Sequence, residues 1–205
     1  MIFVRGASSA IVQALSTLHP PNWDGTKLIH SVSRGEKMPD GERYLFCTGL
    51  IHQLRLCDQP DEMIAETFQV NAISVIRECD RLIDVNPKAR ICVIGSESGF
   101  RGSFDAAYAV AKAALHRYVE IKRLKYPDQQ LVCVAPSCVL NTDMNRQRNA
   151  DGVISLEKRR VAHPKQRWLQ PIEVARMIHF LLYIDEGYTT GIVIRMNGGE
   201  HYGDR

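Results

Sequence analysis

No apolar run in this chain approaches the ~18 residues needed to cross a bilayer, so no membrane association is expected. No two cysteines have the Cys-x-x-Cys spacing of a zinc or redox site. Cys47, Cys57, Cys79, Cys92, Cys133 and Cys138 are scattered, several of them in apolar runs where a thiol acts as a small hydrophobe. His30, His52, His116 and His163 do not cluster with them, so they read as ordinary surface or core residues and no metal site is expected. The net charge is only +3, from 26 Lys and Arg against 23 Asp and Glu. That is too little to argue for nucleic acid: the basic runs at 122–125 and 158–160 read as solvated faces or anion contacts, and the basic segment 146–167 reads as a mobile substrate lid or a phosphate-binding site rather than an RNA-binding one. Met1-Ile-Phe-Val-Arg5 enters a strand directly, without the basic segment and long apolar region of a secretion signal. These absences predict a reduced, cytoplasmic protein.

What is present is an alternation of short β-rich runs with helical segments. Strands are expected at Met1–Val4, Lys27–Val32, Tyr44–Cys47, Arg90–Ile94, Leu131–Val134 and Gly191–Met196. Helices are expected at Ser9–Leu18, Asp61–Ile83, Ala106–Leu124 and Pro171–Tyr183. The alternation predicts an α/β fold: a Rossmann-type, doubly wound, mostly parallel sheet of about six strands with helices on both faces. The 205 residues fit one domain, with no repeat and no low-complexity linker. Residues 143–170 are polar and weakly periodic. A segment of this kind in a compact domain suggests a substrate lid, with Trp168 packed beneath it.

Tyr108 and Lys112 carry the strongest chemical signal. The alanine-rich stretch around them favours helix, and a spacing of four places both on one face. A free phenol is a weak acid near neutrality, but an adjacent ammonium favours the phenolate and turns the phenol into a usable proton donor or acceptor. A second signal is Arg5-Gly6-Ala7-Ser8-Ser9-Ala10-Ile11-Val12. There a first strand runs into a helix through a turn of small residues, with Ser8 or Ser9 as the cap, and unpaired N–H groups can meet a phosphate.

In order along the chain, these segments resemble the short-chain dehydrogenase/reductase family over nearly the whole length. The family's glycine turn matches Gly6 to Val12, and its Asn-Asn-Ala-Gly matches Phe46-Cys47-Thr48-Gly49. Its helical Asn matches Asn71, its serine matches Ser96 in Ile94-Gly95-Ser96-Glu97-Ser98-Gly99, and its Tyr-x-x-x-Lys matches Tyr108 to Lys112. Pro136-Ser137, Thr142, Pro171 and Asn197-Gly198-Gly199 continue the series. The resemblance implies Tyr108 as general acid, Lys112 as the group that lowers its pKa and holds the nicotinamide ribose, and Ser96 as the holder of the carbonyl oxygen. Ser98 is the alternative to Ser96, because the Ser96 to Tyr108 interval is about one residue shorter than the family's. Asn71 would anchor a water behind Lys112. Gly6, Ser8, Ser9, Ile11, Arg34, Thr48, Gly49, Tyr108, Lys112 and Thr142 would contact the cofactor. Arg34, just past the second strand, suits a 2′-phosphate, so NADPH is preferred over NADH.

The sequence also departs from the family. Ala10 and Val12 replace glycines, which is expected to crowd the pyrophosphate and push the first helix off the sheet. About nine residues separate Arg34 from Tyr44 where the family has a helix and a strand. The expected activity is NADPH-dependent reduction of an aldehyde or ketone, or its reverse, by a homodimer or homotetramer built on the helices at Asp61–Ile83 and Ala106–Leu124. The competing expectation is a non-catalytic relative that senses a nucleotide or binds a protein. Arg146, Arg148, Lys158, Arg159, Arg160 and Lys165 hint at an acidic or phosphorylated substrate.

Overall fold

A computed structural model describes residues 1–20, 28–52, 54–144 and 160–200. Six strands, β1 (Ile2–Arg5), β2 (Ile29–Val32), β3 (Arg43–Phe46), β4 (Arg90–Ile94), β5 (Gln130–Pro136) and β6 (Ile192–Met196), form one sheet in the order β2-β1-β3-β4-β5-β6. Every pairing is parallel, and the central strands β1, β3, β4 and β5 are buried nearly throughout, as expected of a parallel sheet covered on both faces. Alternate side chains of β4 show the division. Cys92 and Ile94 join one core with α1 (Ala10–Leu15) and α6 (Pro171–His179), while Ile91 and Val93 join the other with α3 (Ser74–Val85) and α5 (Ala106–Ile121).

The predicted helix Asp61–Ile83 is α2 (Asp61–Phe68) running through a π turn, Gln69–Ile73, into α3. A π turn inserts one extra residue into the helical ladder, and here it carries Asn71 into the interior. Helix α5 starts at an N-cap, Asp105, whose side chain accepts the Tyr108 N–H at 3.0 Å. It ends at Ile121, three residues before the expected Leu124, where Lys122 turns to extended backbone. Pro171 opens α6 beside a reciprocal Gln170–Glu173 capping box, and α6 passes into a second π turn at Phe180–Ile184.

The outer helix and strand of a full doubly wound sheet are absent, and β2 is the sheet edge. Residues 33–42 cross directly from β2 to β3. They are held along α3: the Met38 N–H donates to Glu78 Oε1 at 2.7 Å and the Met38 carbonyl accepts from Arg81 at 2.8 Å. At the far end, Gly41 O accepts from Asn86 Nδ2 at 2.6 Å and from the Tyr44 hydroxyl at 2.7 Å. Buried Met38 fills the space against Tyr44 and Cys79. An extended segment thus does the work of a crossover helix.

Val12 of the first helix faces the interior. Its side chain is buried in the core shared with Leu15, Val174 and Ile178, so its methyls add to the packing of helix on sheet. Trp168 is half-buried and is not part of that core; its neighbour Leu169 packs there instead. Most of the expected lid, residues 145–159 with Arg146, Arg148, Lys158 and Arg159, lies outside the described residues.

Candidate active site

The carboxyl ends of β1, β3, β4 and β5 open into a cavity of about 510 Å³, the position at which parallel α/β sheets bind ligands. All the expected site residues except Asn71 line it: Gly6, Ser8, Ser9 and Ile11 after β1, Arg34 after β2, Thr48 and Gly49 after β3. Ser96 and Ser98 follow β4, Tyr108 and Lys112 project from α5, and Thr142 follows β5.

Tyr108 is 4 % exposed and Lys112 2 %, with the ammonium 5.9 Å from the centre of the Tyr108 ring. Lys112 Nζ donates to Thr48 O at 3.1 Å and to Ile94 O at 2.9 Å. Burial pulls its pKa down to about 8, because removing an ammonium from water penalises the charged form. Ser96 Oγ accepts from the Ser98 N–H at 3.1 Å, which seats the hydroxyl at the start of α4 (Ser98–Arg101) and leaves its proton for another acceptor. Both serines face the same cavity.

At the other end, Gly6 has φ +93°, and a Cβ there would overlap the Cys47 carbonyl, so only glycine holds this close turn. Ser9 caps α1 by accepting the Ile11 N–H at 3.2 Å, which decides between Ser8 and Ser9. The side chain of Arg5 is buried, lies over Phe46, and donates to Glu36 O. It closes the Ser33–Glu36 turn that holds exposed Arg34 at the cavity rim. Arg5 Nε and Thr48 Oγ1 are buried without a hydrogen-bond partner, and both residues line the cavity. Unpaired buried polar atoms, a glycine cradle and a row of cations fit a dinucleotide better than an apolar ligand.

Asn71 stands behind the cavity wall. It is fully buried, with Nδ2 donating to Leu50 O and Thr67 O, both at 2.8 Å, and Oδ1 accepting the Leu50 N–H at 3.0 Å. Its side chain therefore holds the loop after β3. Three residues not anticipated as site residues also belong here. Asp105 is the α5 cap, a signal that could have been read from its place three residues before Tyr108. Glu97 is 1 % exposed and ion-paired with Arg195 of β6. His116 is a core histidine with a specific partner. It is buried, and its Nε2 accepts the Ser96 N–H at 3.2 Å. Its place four residues after Lys112, on the same helix face, was the available clue.

A family profile described as enoyl-(acyl carrier protein) reductase matches residues 45–201. The chain belongs to the short-chain dehydrogenase/reductase family. It is 26 % identical over 178 residues to a vibriobactin-specific 2,3-dihydro-2,3-dihydroxybenzoate dehydrogenase of Vibrio cholerae, covering 80 % of this chain and 67 % of that one. Over 117 residues it is 33 % identical to an inactive 2-(S)-hydroxypropyl-CoM dehydrogenase 2 of Xanthobacter autotrophicus, covering 55 % and 51 %. The chain thus spans about half to two thirds of the length of these curated relatives. Among solved structures, a 3-oxoacyl-(acyl-carrier-protein) reductase of Agrobacterium tumefaciens with NADP bound superposes with a TM-score of 0.76 at 19 % identity, covering 97 % and 93 %. This short-chain dehydrogenase/reductase therefore has the family's oxidoreductase fold with a six-stranded sheet. No helix among the described residues is long and apolar enough to cross a membrane.

Proposed function

We propose that this chain is an NADPH-dependent reductase of an aldehyde or ketone. The observation that carries the reading is the pair Tyr108 and Lys112, buried one helical turn apart at the wall of a cavity that also presents Ser96. When bound, reduced nicotinamide supplies the hydride for the carbonyl carbon. The Tyr108 hydroxyl then donates its proton to the carbonyl oxygen, while the Ser96 hydroxyl donates a hydrogen bond to that oxygen as charge develops. Protonated Lys112 favours the phenolate left behind. Both Nδ2 hydrogens of Asn71 are committed to main-chain carbonyls, so its side chain would serve the site by holding the loop after β3, and a water anchored there would have to be held by an acceptor.

Gly6, Ser8, Ser9, Ile11, Thr48, Gly49 and Thr142 would hold the cofactor, and Arg34 at the rim favours a 2′-phosphate through charge-assisted hydrogen bonds. Exposed Val110 and Ile121 on α5 and Ile73 before α3 suit a homo-oligomer built on these helices.

Titration with NADPH and then NADH, followed by reduced-nicotinamide fluorescence, tests the reading together with a carbonyl panel and Tyr108→Phe as control. Expected are tighter binding of NADPH and a turnover that falls at least ~100-fold in the variant. A second reading, a non-catalytic nucleotide-sensing or protein-binding relative, is favoured by Ala10 and Val12 and by the missing outer strand. It fails if Tyr108-dependent turnover is found; NADPH binding without turnover supports nucleotide sensing, and no binding by folded protein supports the protein-binding form.

A further inference from the structure

Strand β4 ends against two neighbours of unequal length. On the β5 side the ladder continues past the strand: the Gly95 N–H donates to Val134 O at 2.8 Å and the Glu97 N–H to Pro136 O at 2.9 Å. Polar groups of the alternate residues, Ile94 and Ser96, point the other way, where β3 has already ended at Phe46 opposite Val93. Helix α5 supplies what β3 does not. Lys112 Nζ donates to Ile94 O at 2.9 Å, and one turn later His116 Nε2 accepts the Ser96 N–H at 3.2 Å.

The imidazole is built in closely. It is 4 % exposed and packs against Phe100 with ring centres 4.7 Å apart. A Cβ on Gly95 would overlap Nε2, and one on Gly99 would come within 2.6 Å of Cε1. Because Nε2 accepts, the ring proton sits on Nδ1, which is buried with no hydrogen-bond partner. That arrangement costs stability and is kept where Nε2 has a task.

We propose that His116 is a positioning residue whose neutral imidazole holds the Ser96 main chain, and so sets where the Ser96 hydroxyl meets the substrate oxygen. Tyr108, Lys112 and His116 then form a series at four-residue spacing on α5: the first faces the substrate, and the other two fix the end of β4. Protonation of His116 would set an N–H against the Ser96 N–H and release the loop. The groups that face the ring oppose this. Burial is the main cause, and Lys112 on the same helix and Arg195 from β6 add to it by disfavouring a second positive charge, pulling the pKa down to about 4. Glu97 favours that charge but is already engaged by Arg195 and by Asn197 Nδ2 at 3.2 Å. Cys133 of β5 stays a neutral thiol, its pKa pushed up to about 12 by burial. Arg101 of α4 pairs with Glu200, and Glu120 lies a further turn along α5, paired with Arg117.

The kinetic arm of the test rests on the reductase reading, whereas the spectroscopic arm does not. Long-range ¹H–¹⁵N spectra of histidine-labelled protein should show His116 as the Nδ1–H tautomer at pH 7 and still neutral at pH 5. An Nε2–H tautomer, or a ring titrating like a free histidine, overturns the proposal whatever the enzyme does. In turnover, His116→Leu should lower kcat about tenfold or more with NADPH affinity within about twofold of wild type, the retained binding showing that the fold survives. His116→Gln, whose side-chain oxygen can accept the same N–H, should recover most of the rate and lose any acid limb that His116 contributes. A folded His116→Leu that turns over like wild type overturns the proposal. If no carbonyl compound is reduced even by wild type, the reductase reading fails alone and the ring spectra still decide the clasp.

Discussion

Asn71 and Leu50 are joined by a two-way amide clamp, Nδ2 donating to Leu50 O at 2.8 Å and Oδ1 accepting the Leu50 N–H at 3.0 Å. Two residues before Leu50, the Thr48 carbonyl receives Lys112 Nζ. The π turn in the α2–α3 helix thereby fixes the loop on which the ammonium rests. Asn71→Leu leaves those main-chain groups and Thr67 O without their partner. It should destabilise the fold by about 2–3 kcal/mol, measured by urea unfolding. It should also weaken NADPH binding, because Thr48 and Gly49 lose their support. Unchanged stability would mean that the loop holds itself.

The buried ammonium gives the reaction a pH signature. Lys112 has its folded pKa pulled down to about 8, so its positive charge is present below that pH and lost as pH rises through it. Without the charge, the phenolate of Tyr108 loses its nearest stabilising cation. The free enzyme's kcat/KM should therefore decline as pH rises through about 8. Lys112→Arg keeps a cation at all accessible pH values and should move that limb upward while lowering the rate. A limb that stays put in the variant assigns it to another group.

Arg34 is held at the cavity rim by a turn that depends on Arg5 and Gly35. The guanidinium is exposed, so its contact with a phosphate is partly screened by solvent and salt. Arg34→Ala should weaken NADPH binding about tenfold and leave NADH binding unchanged, read from paired fluorescence titrations. Equal loss for both nucleotides would point to a role in the turn rather than in reading the 2′-phosphate.

Much of this architecture can be read from local pattern. The apolar runs of β1, β4 and β5 declare strands buried on both faces, and the spacing of Tyr108 and Lys112 places both on one helix face, with a chemical reading that rests on the other matches along the chain. The unreadable parts are those that depend on non-local geometry. A π turn leaves the apolar periodicity of Asp61–Ile83 almost unchanged, so Asn71 could be placed in a helix but not seen to turn inward. The nine-residue gap before Tyr44 suggested a missing unit, but the way Glu78, Arg81 and Asn86 fasten the crossover needs α3 already in place. His116 shows no metal-ligand spacing with the other histidines, and its partner, the Ser96 N–H, is set by the packing of α5 against the end of β4.

The two replaced glycines of the first turn should behave differently, because they face different surroundings. Ala10 lines the cavity, so its methyl would take space beside a pyrophosphate held there. Val12 is 2 % exposed on the opposite side of α1, within the core. Ala10→Gly should therefore tighten NADPH binding by roughly 1 kcal/mol, about fivefold, with a small loss of helix stability. Val12→Gly should instead cost about 3–4 kcal/mol of folding stability, from the emptied core volume and from glycine inside a helix, and should bring no gain in affinity. Calorimetric titration and urea unfolding of both variants separate the two effects. Tighter binding in Val12→Gly would mean that the whole turn, rather than one methyl, limits access for the dinucleotide.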